Sequence, residues 1–126
     1  MQTGLYIVGT PIGNLSDMSP RAIDVLQNVD LIAAEDTRVF GKLAAHFDIK
    51  TKRVSCHEHN ERDVVGDLIQ KIQNGMSVAC VSDAGMPGIS DPGFRLVRAA
   101  RAAGVPVFVV PGTVACISAL VLSGFP

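Results

Sequence analysis

The polypeptide has 126 residues, of which 48% are apolar and 18% are charged, and its formal net charge is −1 at pH 7. This length and composition predict one globular domain and exclude a disordered chain, while the near-zero charge gives no electrostatic case for nucleic-acid binding by the domain as a whole. The odd number of cysteines, three, predicts a reducing and therefore cytoplasmic location, and no apolar run reaches the roughly 20 residues that span a bilayer, so no membrane partner is expected.

The first predicted element is a short strand, because residues 5–8 form a continuous apolar run of the kind that is buried on both faces of a parallel sheet. A Gly- and Pro-rich turn, residues 9–14, follows it directly. The turn is not a GxGxxG fingerprint and lacks the Lys-Ser/Thr pair of a P-loop. Ser19 and Pro20 then predict a helix N-terminus, with a buried face formed by Ala22, Ile23, Leu26 and Val29.

The second strand is predicted at residues 31–34, and four polar residues follow it: Glu35, Asp36, Thr37 and Arg38. Asp36 or Thr37 is expected to cap the next helix. Glu35 stands where the strand opens toward the carboxyl-end edge of the sheet. Position alone leaves both a capping role and a role in a functional site open for this group.

A third strand at residues 53–55 leads into Cys56-His57-Glu58-His59-Asn60-Glu61. A metal site is the less favoured interpretation, because residues two apart point to opposite sides of an extended chain and no second ligand cluster appears. The alternative is a polar loop in which Asn60 caps the next helix. That helix has its apolar residues at helical spacing: Val64, Val65, Leu68, Ile69 and Ile72.

The fourth strand, residues 77–81, delivers the most distinctive stretch of the chain, the loop at 83–93. The loop contains three Gly, two Pro and two Asp, and it is longer than an ordinary connection between a strand and a helix. Open α/β sheets bind ligands at such carboxyl-end loops, so a binding role is predicted. Cys80, within the strand, is expected to be a core residue.

The fourth predicted helix follows this loop, with Phe94, Val97 and Ala100 expected on its buried side. Three arginines, Arg95, Arg98 and Arg101, are expected on a solvated face rather than in an RNA-binding patch.

A fifth strand at residues 107–110 ends in another Pro-Gly turn, 111–113. The last helix, residues 116–122, is apolar nearly all round. We expect the sheet to cover one side of it and something outside this chain to cover the other.

Five alternations of strand and helix predict an α/β fold with an open, doubly wound, five-stranded parallel sheet flanked by helices. The Gly- and Pro-rich turns after the first, fourth and fifth strands then lie along one edge of the sheet. None of these turns contains Lys or Arg, which disfavours a bare polyphosphate ligand and favours a nucleoside-like cofactor.

Five motifs in this order resemble one known family: LYIVGTPIGNL (5–15), AEDTR (34–38), SCHEHNE (55–61), VSDAG with ISDPG (81–85 and 89–93), and PG (111–112). Along essentially the whole chain they are similar to the N-terminal domain of the rRNA small-subunit methyltransferase I family, which is part of the tetrapyrrole methylase superfamily. The family pattern has Ala at Gly9, Thr at Met86 and Pro-Ser at 113–114, so this chain departs from it at those positions.

The resemblance implies methylation of the ribose 2′-hydroxyl of a cytidine in small-subunit rRNA with S-adenosyl-L-methionine as cofactor. It also implies two α/β domains around a cofactor cleft, a 30S particle as substrate and a homodimer. Residues 1–126 correspond to the N-terminal domain alone, without the C-terminal domain, so the fragment is expected to be inactive by itself.

The resemblance also implies site residues, none of them metal ligands. Cofactor contacts are implied for Thr10, Pro11, Gly13, Ser82, Asp83, Ala84, Gly85, Ile89, Ser90, Pro111, Gly112, Thr113 and Ala115. Catalytic roles are implied for Glu35, Asp36, Arg38, His57 and Glu58, and RNA contacts for Arg38, His59 and Asn60. The acidic pair after the second strand is the favoured proton acceptor, with Arg38 holding a phosphate.

Two other functions stay open. The first is a methylase that acts on a tetrapyrrole or another small molecule. The second is a non-catalytic nucleotide-binding or assembly module.

Overall fold

The computed structural model describes residues 1–88 and 93–125. Its strands are β1 (Gly4–Val8), β2 (Leu31–Ala34), β3 (Arg53–Ser55), β4 (Ser77–Val81) and β5 (Val107–Val110). Its helices are α1 (Pro20–Asn28), α2 (Thr37–His46), α3 (Glu61–Gln73), α4 (Gly93–Ala102) and α5 (Ala115–Ser123), and a 3₁₀ helix spans Leu15–Asp17. The predicted strands and helices therefore all occur, and the strand ends agree with the prediction to within one residue.

The strands form one parallel sheet in the order β3-β2-β4-β1-β5. The chain moves outward from β1 to β3, returns to place β4 between β2 and β1, and then crosses to β5 on the far side. This reversal confirms the predicted doubly wound α/β fold. In the register, Ala34 is paired with both Ser55 and Val81, so the turns after β2, β3 and β4 leave the sheet side by side.

Helices cover both faces of the sheet. Alternate residues of β1 show the division, since Tyr6 and Val8 pack with the α1 and α2 side chains, whereas Leu5 and Ile7 pack with those of α3 and α4. Every residue of β1, β2 and β4 is buried, as expected for strands that are covered on both faces.

Polar residues define where the first two helices begin. The Ser19 side chain accepts a hydrogen bond from the Ala22 N–H at 3.0 Å, and Pro20 occupies the first turn of α1. The Asp36 carboxylate caps α2 by accepting from the Arg38 N–H at 2.9 Å. Of the two predicted caps of α2, Asp36 is therefore the one used.

The predicted buried face of α4 is partly wrong. Phe94 is 45% exposed, and its ring lies 5.6 Å from the Arg98 guanidinium carbon, while Leu96 and Ala100 form the buried face. The close approach of Gly93 to Gly88 explains this rotation, because a Cβ on Gly93 would lie 2.6 Å from the Gly88 nitrogen. Gly93, Leu96 and Ala100 thus share the buried face of α4.

The prediction that the sheet covers one side of the last helix is wrong. Every side chain of α5 that the structure describes is exposed, including Val121 at 72% and Leu122 at 87%. The helix follows β5, an edge strand whose Val109 is itself 53% exposed, so it does not return over the sheet. Within the described residues no helix has the length and apolar character required to cross a membrane.

Candidate functional site

The candidate site lies at the carboxyl-end edge of the sheet, where the turns after β1, β4 and β5 meet. Thr10 and Gly85 form an isolated antiparallel bridge, with the Thr10 N–H donating to the Gly85 oxygen at 2.9 Å and the Gly85 N–H donating to the Thr10 oxygen at 3.0 Å. Gly85 has φ +82°, a conformation that side chains disfavour. The turns after β1 and β4 are therefore joined by backbone hydrogen bonds.

The turn after β5 is joined to the same residue. The Thr113 hydroxyl donates to the Thr10 oxygen at 2.6 Å, and the Thr10 hydroxyl lies 3.4 Å from the Gly85 oxygen, to which it donates. Thr10 is only 3% exposed, so it holds the three turns together from beneath the surface. The Thr113 hydroxyl proton is used within the protein, which leaves its lone pairs for a ligand.

A contact between two glycines brings the turns after β1 and β5 together. A Cβ on Gly9 would lie 2.5 Å from the Gly112 Cα and 2.6 Å from the Met86 sulfur. A Cβ on Gly112 would lie 2.7 Å from both the Cα and the carbonyl carbon of Gly9. Neither position has room for a side chain unless its neighbours move.

The ends of β2 and β4 are connected by a pair of hydrogen bonds that we call the Glu35–Asp83 clasp. The Asp83 N–H donates to Glu35 Oε1 at 3.3 Å, and the Asp36 N–H donates to Asp83 Oδ1 at 3.2 Å. Each carboxylate thus accepts from the backbone of the other turn. Asp36 itself is committed to capping α2, and the Arg38 backbone N–H that it accepts lowers the pKa of its carboxyl below the ordinary value.

The loop after β3 is closed by its own side chains. Asn60 Oδ1 accepts from the His57 N–H at 2.8 Å, while Asn60 Nδ2 donates to the Ser55 oxygen at 3.0 Å. Asn60 occupies the N-cap position of α3, as predicted, but its side chain makes no capping hydrogen bond because it closes this loop instead. His57 Nδ1 accepts from the His59 N–H at 3.2 Å, so the neutral His57 ring carries its proton on Nε2.

A cavity of about 340 Å³ lies behind the clasp, with Glu35, Asp83 and Met86 in its wall together with the thiols of Cys56 and Cys80. Cys80 is 5% exposed, which confirms that it belongs to the core. Burial raises the pKa of Cys56 to about 11 and that of Cys80 to about 12, so both thiols stay protonated at neutral pH. Met86 and Cys56 were not among the predicted site residues. Met86 lies inside the predicted loop, and that position was the available signal.

A second, shallower cavity of about 290 Å³ lies between the first turn and α2, lined in part by Pro11, Gly13 and Lys42. Lys42 was also missed, although it stands one helical turn after Arg38 and the spacing places both on one face of α2. The Arg38 side chain is 91% exposed, and its Nε lies 3.6 Å from Asp36 Oδ1. An ion pair that is so exposed contributes little to stability. The charge of Arg38 is therefore available to a ligand.

The remaining predicted residues are distributed around this edge. Glu58, His59, Pro111, Gly112 and Ala115 are exposed, as are Asp83 and Ala84. The Ser82 hydroxyl donates to the Ala84 oxygen at 2.9 Å and so stabilises the turn. Ile89 and Ser90 lie outside the described residues. Within residues 1–88 and 93–125 no group of three or more His, Cys, Asp or Glu side chains is arranged to hold a metal ion.

Comparison with known sequences places this geometry in a family. The sequence model of the tetrapyrrole (corrin/porphyrin) methylases matches residues 4–126. The chain is 56% identical over 120 residues to the ribosomal RNA small subunit methyltransferase I of Synechocystis sp. and 57% identical over 122 residues to that of Vibrio cholerae. These alignments cover 95% and 97% of this chain but only 43% and 42% of the relatives, so the chain spans less than half their length.

Solved structures show the same fold. Uroporphyrin-III C-methyltransferase from Thermus thermophilus superposes with a TM-score of 0.73 at 26% identity, covering 99% of this chain and 53% of that one. Another structure of the Thermus protein, in complex with S-adenosyl homocysteine, has a TM-score of 0.68 at 23% identity and covers 98% and 52% of the two chains.

Proposed function

The chain belongs to the tetrapyrrole methylase family, and from this premise we propose that it is the N-terminal half of an enzyme that methylates the ribose 2′-hydroxyl of a cytidine in small-subunit rRNA. The observation that carries the proposal is the contrast in identity. Relatives named for rRNA methylation are 56–57% identical, whereas the Thermus tetrapyrrole methylase is 26% identical. The shared fold therefore supports methyl transfer, and the sequence supports RNA as the substrate class.

The turns after β1, β4 and β5 are suited to S-adenosyl-L-methionine as the methyl donor. Pro111, Gly112 and Ala115 are exposed, Met86 lines the neighbouring cavity, and Asp83 is an exposed carboxylate that can pair with an amino group. The Gly9–Gly112 contact keeps side chains out of this space. When bound, S-adenosyl-L-methionine supplies a methyl group that is activated by the sulfonium. In the same proposal Gly13, Ser82, Ala84, Ile89, Ser90 and Thr113 contact the cofactor, while the buried Thr10 and Gly85 support these contacts by joining the turns.

The polar residues after β2 and β3 would form the substrate side. Arg38 is exposed and is suited to bind a phosphate, with Lys42 one turn away as a second cation and His59 at the loop surface. In an in-line displacement, the domain would align the ribose 2′-oxygen with the methyl group and accept the proton of the hydroxyl. Candidates for the proton acceptor are Glu35, Asp36, His57 and Glu58.

Two of these candidates are the weaker ones on chemical grounds. The lowered pKa of Asp36 makes its carboxylate a poor base, and its oxygen is used by the Arg38 N–H. The neutral His57 ring carries its proton on Nε2, which makes that nitrogen a donor. Asn60 is proposed to act on RNA through the loop that it closes around His57.

The larger assembly is part of the same proposal. The chain spans less than half of its relatives, and α5 exposes an apolar surface, which together support a second domain completing the cleft in the whole protein. A homodimer, a 30S particle as the natural substrate and a cytoplasmic location are proposed with it.

Methyl transfer by the complete protein tests the proposal. Labelled S-adenosyl-L-methionine is supplied with unmethylated 30S particles, with protein-free small-subunit rRNA and with uroporphyrinogen in parallel reactions. We expect label at a cytidine 2′-oxygen, which nuclease mapping would locate, and we expect Arg38→Ala to raise the KM for RNA while Arg101→Ala does not. Label in the tetrapyrrole would overturn the proposal, and cofactor binding without any transfer would point to a binding module.

A further inference from the structure

The clasp between Glu35 and Asp83 gives Glu35 a task that differs from proton transfer. The β2–β4 ladder ends with Ala34 opposite Val81, so the N–H groups of Asp36 and Asp83, two residues further along each strand, have no partner within the ladder. Side chains supply acceptors across the gap, since Glu35 accepts from the Asp83 N–H and Asp83 accepts from the Asp36 N–H. The two turns are thereby joined where the proposed cofactor and substrate sides meet.

Position makes the clasp relevant to the site. Glu35 lines both the cavity behind the Asp83 turn and the opening that contains Arg38 and His57. It is half-buried, and one of its oxygens is occupied by a backbone donor. If the Glu35 oxygen were withdrawn, the Asp83 N–H would lose its partner, and the turn that carries the exposed Asp83 carboxylate would be held to the end of β2 by only one of the two bonds of the clasp, the one from the Asp36 N–H.

We propose that Glu35 is a positioning residue that fixes the Asp83 turn for cofactor binding, and that it is not the group that accepts the proton. This inference rests on the proposed methyltransferase function for its kinetic consequences. Its structural part, the dependence of the Asp83 turn on an acceptor at position 35, stands independently of the substrate.

The amide and alanine variants of Glu35 separate the two roles. Glu35→Gln keeps an oxygen that can accept from the Asp83 N–H but removes the basic group, whereas Glu35→Ala removes both. In the complete protein we expect Glu35→Gln to keep kcat within about three-fold with an unchanged pH profile. We expect Glu35→Ala to raise the KM for S-adenosyl-L-methionine by roughly ten-fold with a smaller effect on kcat. The expected effect is modest because the two clasp bonds, at 3.3 and 3.2 Å, are long for hydrogen bonds.

Amide hydrogen exchange at Asp83 provides a readout that does not depend on activity. Protection of this N–H should persist in Glu35→Gln and fall in Glu35→Ala, with the exposed Asp63→Ala, on α3, as a matched carboxylate removal that changes neither protection nor kinetics. Unchanged protection in Glu35→Ala would overturn the inference, and so would a loss of kcat of a hundred-fold or more in Glu35→Gln. If the parent protein methylates no RNA at all, the proposed function fails while the exchange result still decides the clasp.

Discussion

The contact between Gly9 and Gly112 predicts that one added methyl group will damage both stability and catalysis. In Gly112→Ala the new Cβ would lie 2.7 Å from two backbone carbons of Gly9 and 2.9 Å from its oxygen. Carbon atoms normally rest about 3.5–4.0 Å apart, so the two turns must separate by roughly 1 Å. All three neighbouring atoms belong to backbone, and no side chain can rotate away to relieve the contact.

The expected cost follows from that displacement. Overpacking of this kind destabilises proteins by about 1–3 kcal/mol, and a misplacement of about 1 Å in an active site lowers rates by up to a hundred-fold. We expect Gly112→Ala in the complete protein to lower the denaturant midpoint and to weaken S-adenosyl-L-methionine binding in calorimetry. The matched control is Gly66→Ala, in the exposed middle of α3, where a Cβ meets nothing within 4 Å and the helix should gain up to about 1 kcal/mol. Parent-like stability and affinity in Gly112→Ala would refute the packing argument.

Three further predictions use other contacts of the site and its surroundings. Gly9→Ala should destabilise the protein, because the added Cβ has three close contacts, two with Gly112 backbone atoms and one with the Met86 sulfur. Adding Met86→Thr should therefore restore part of the lost stability. A double-mutant cycle with no coupling would contradict this. The raised pKa values of the Cys56 and Cys80 thiols predict a contribution to stability that is fully present below about pH 9, the pKa in the unfolded chain, and is lost as the pH rises toward 11. Denaturant midpoints should fall over this range, and they should fall less in Cys80→Ala. The same pH dependence of the midpoint in both proteins would disprove the linkage. Arg95→Ala should lower the free energy of unfolding by about 1–3 kcal/mol, because Arg95 Nε lies 3.1 Å from Oε1 of Glu61, which is only 4% exposed. Replacing the exposed Arg101 by Ala should change it by less than about 0.5 kcal/mol. Equal effects of the two variants in calorimetric unfolding would argue against the Arg95–Glu61 pair.

Strand positions were predictable because buried parallel strands leave a simple trace in the sequence. Residues 31–34, 53–55, 77–81 and 107–110 were predicted with the ends that the structure has. The runs at 31–34 and 77–81 are mostly apolar, end before a polar residue and are buried throughout, whereas those at 53–55 and 107–110 are edge strands that are only partly buried. The doubly wound sheet follows from the alternation of these strands with helices.

The errors arise where two local solutions compete or where tertiary contact sets the phase. Asn60 had the composition of a helix cap, but its amide closes the preceding loop, which is the usual competition between local hydrogen bonds for such a side chain. Phe94 had the spacing of a buried residue, but the close approach of Gly93 to Gly88 rotates α4 and exposes it. Neither outcome is written in the pattern of apolar residues.

The site was predictable as an edge of the sheet but not as a set of contacts. Parallel strands bring their carboxyl ends to one edge, so the turns after β1, β4 and β5 were expected along the same edge of the sheet. The bonds that join them connect residues far apart in sequence, as between Thr113 and Thr10 or between Asp83 and Glu35. Such pairings depend on strand order and register, which a single sequence with ordinary turn residues does not specify.

The structure divides this edge into two parts with different physical characters. The proposed cofactor side is built from backbone, with Thr10 bonded to Gly85 and accepting from Thr113, so it presents a surface of fixed shape. The proposed substrate side carries long exposed side chains such as Arg38 and Lys42, which can adapt to a phosphate backbone. In the proposed reaction, a small methyl donor would require the first kind of surface and a large RNA acceptor the second. The Glu35–Asp83 clasp lies at the boundary, and it is therefore where a single substitution should disturb donor binding without removing a substrate contact.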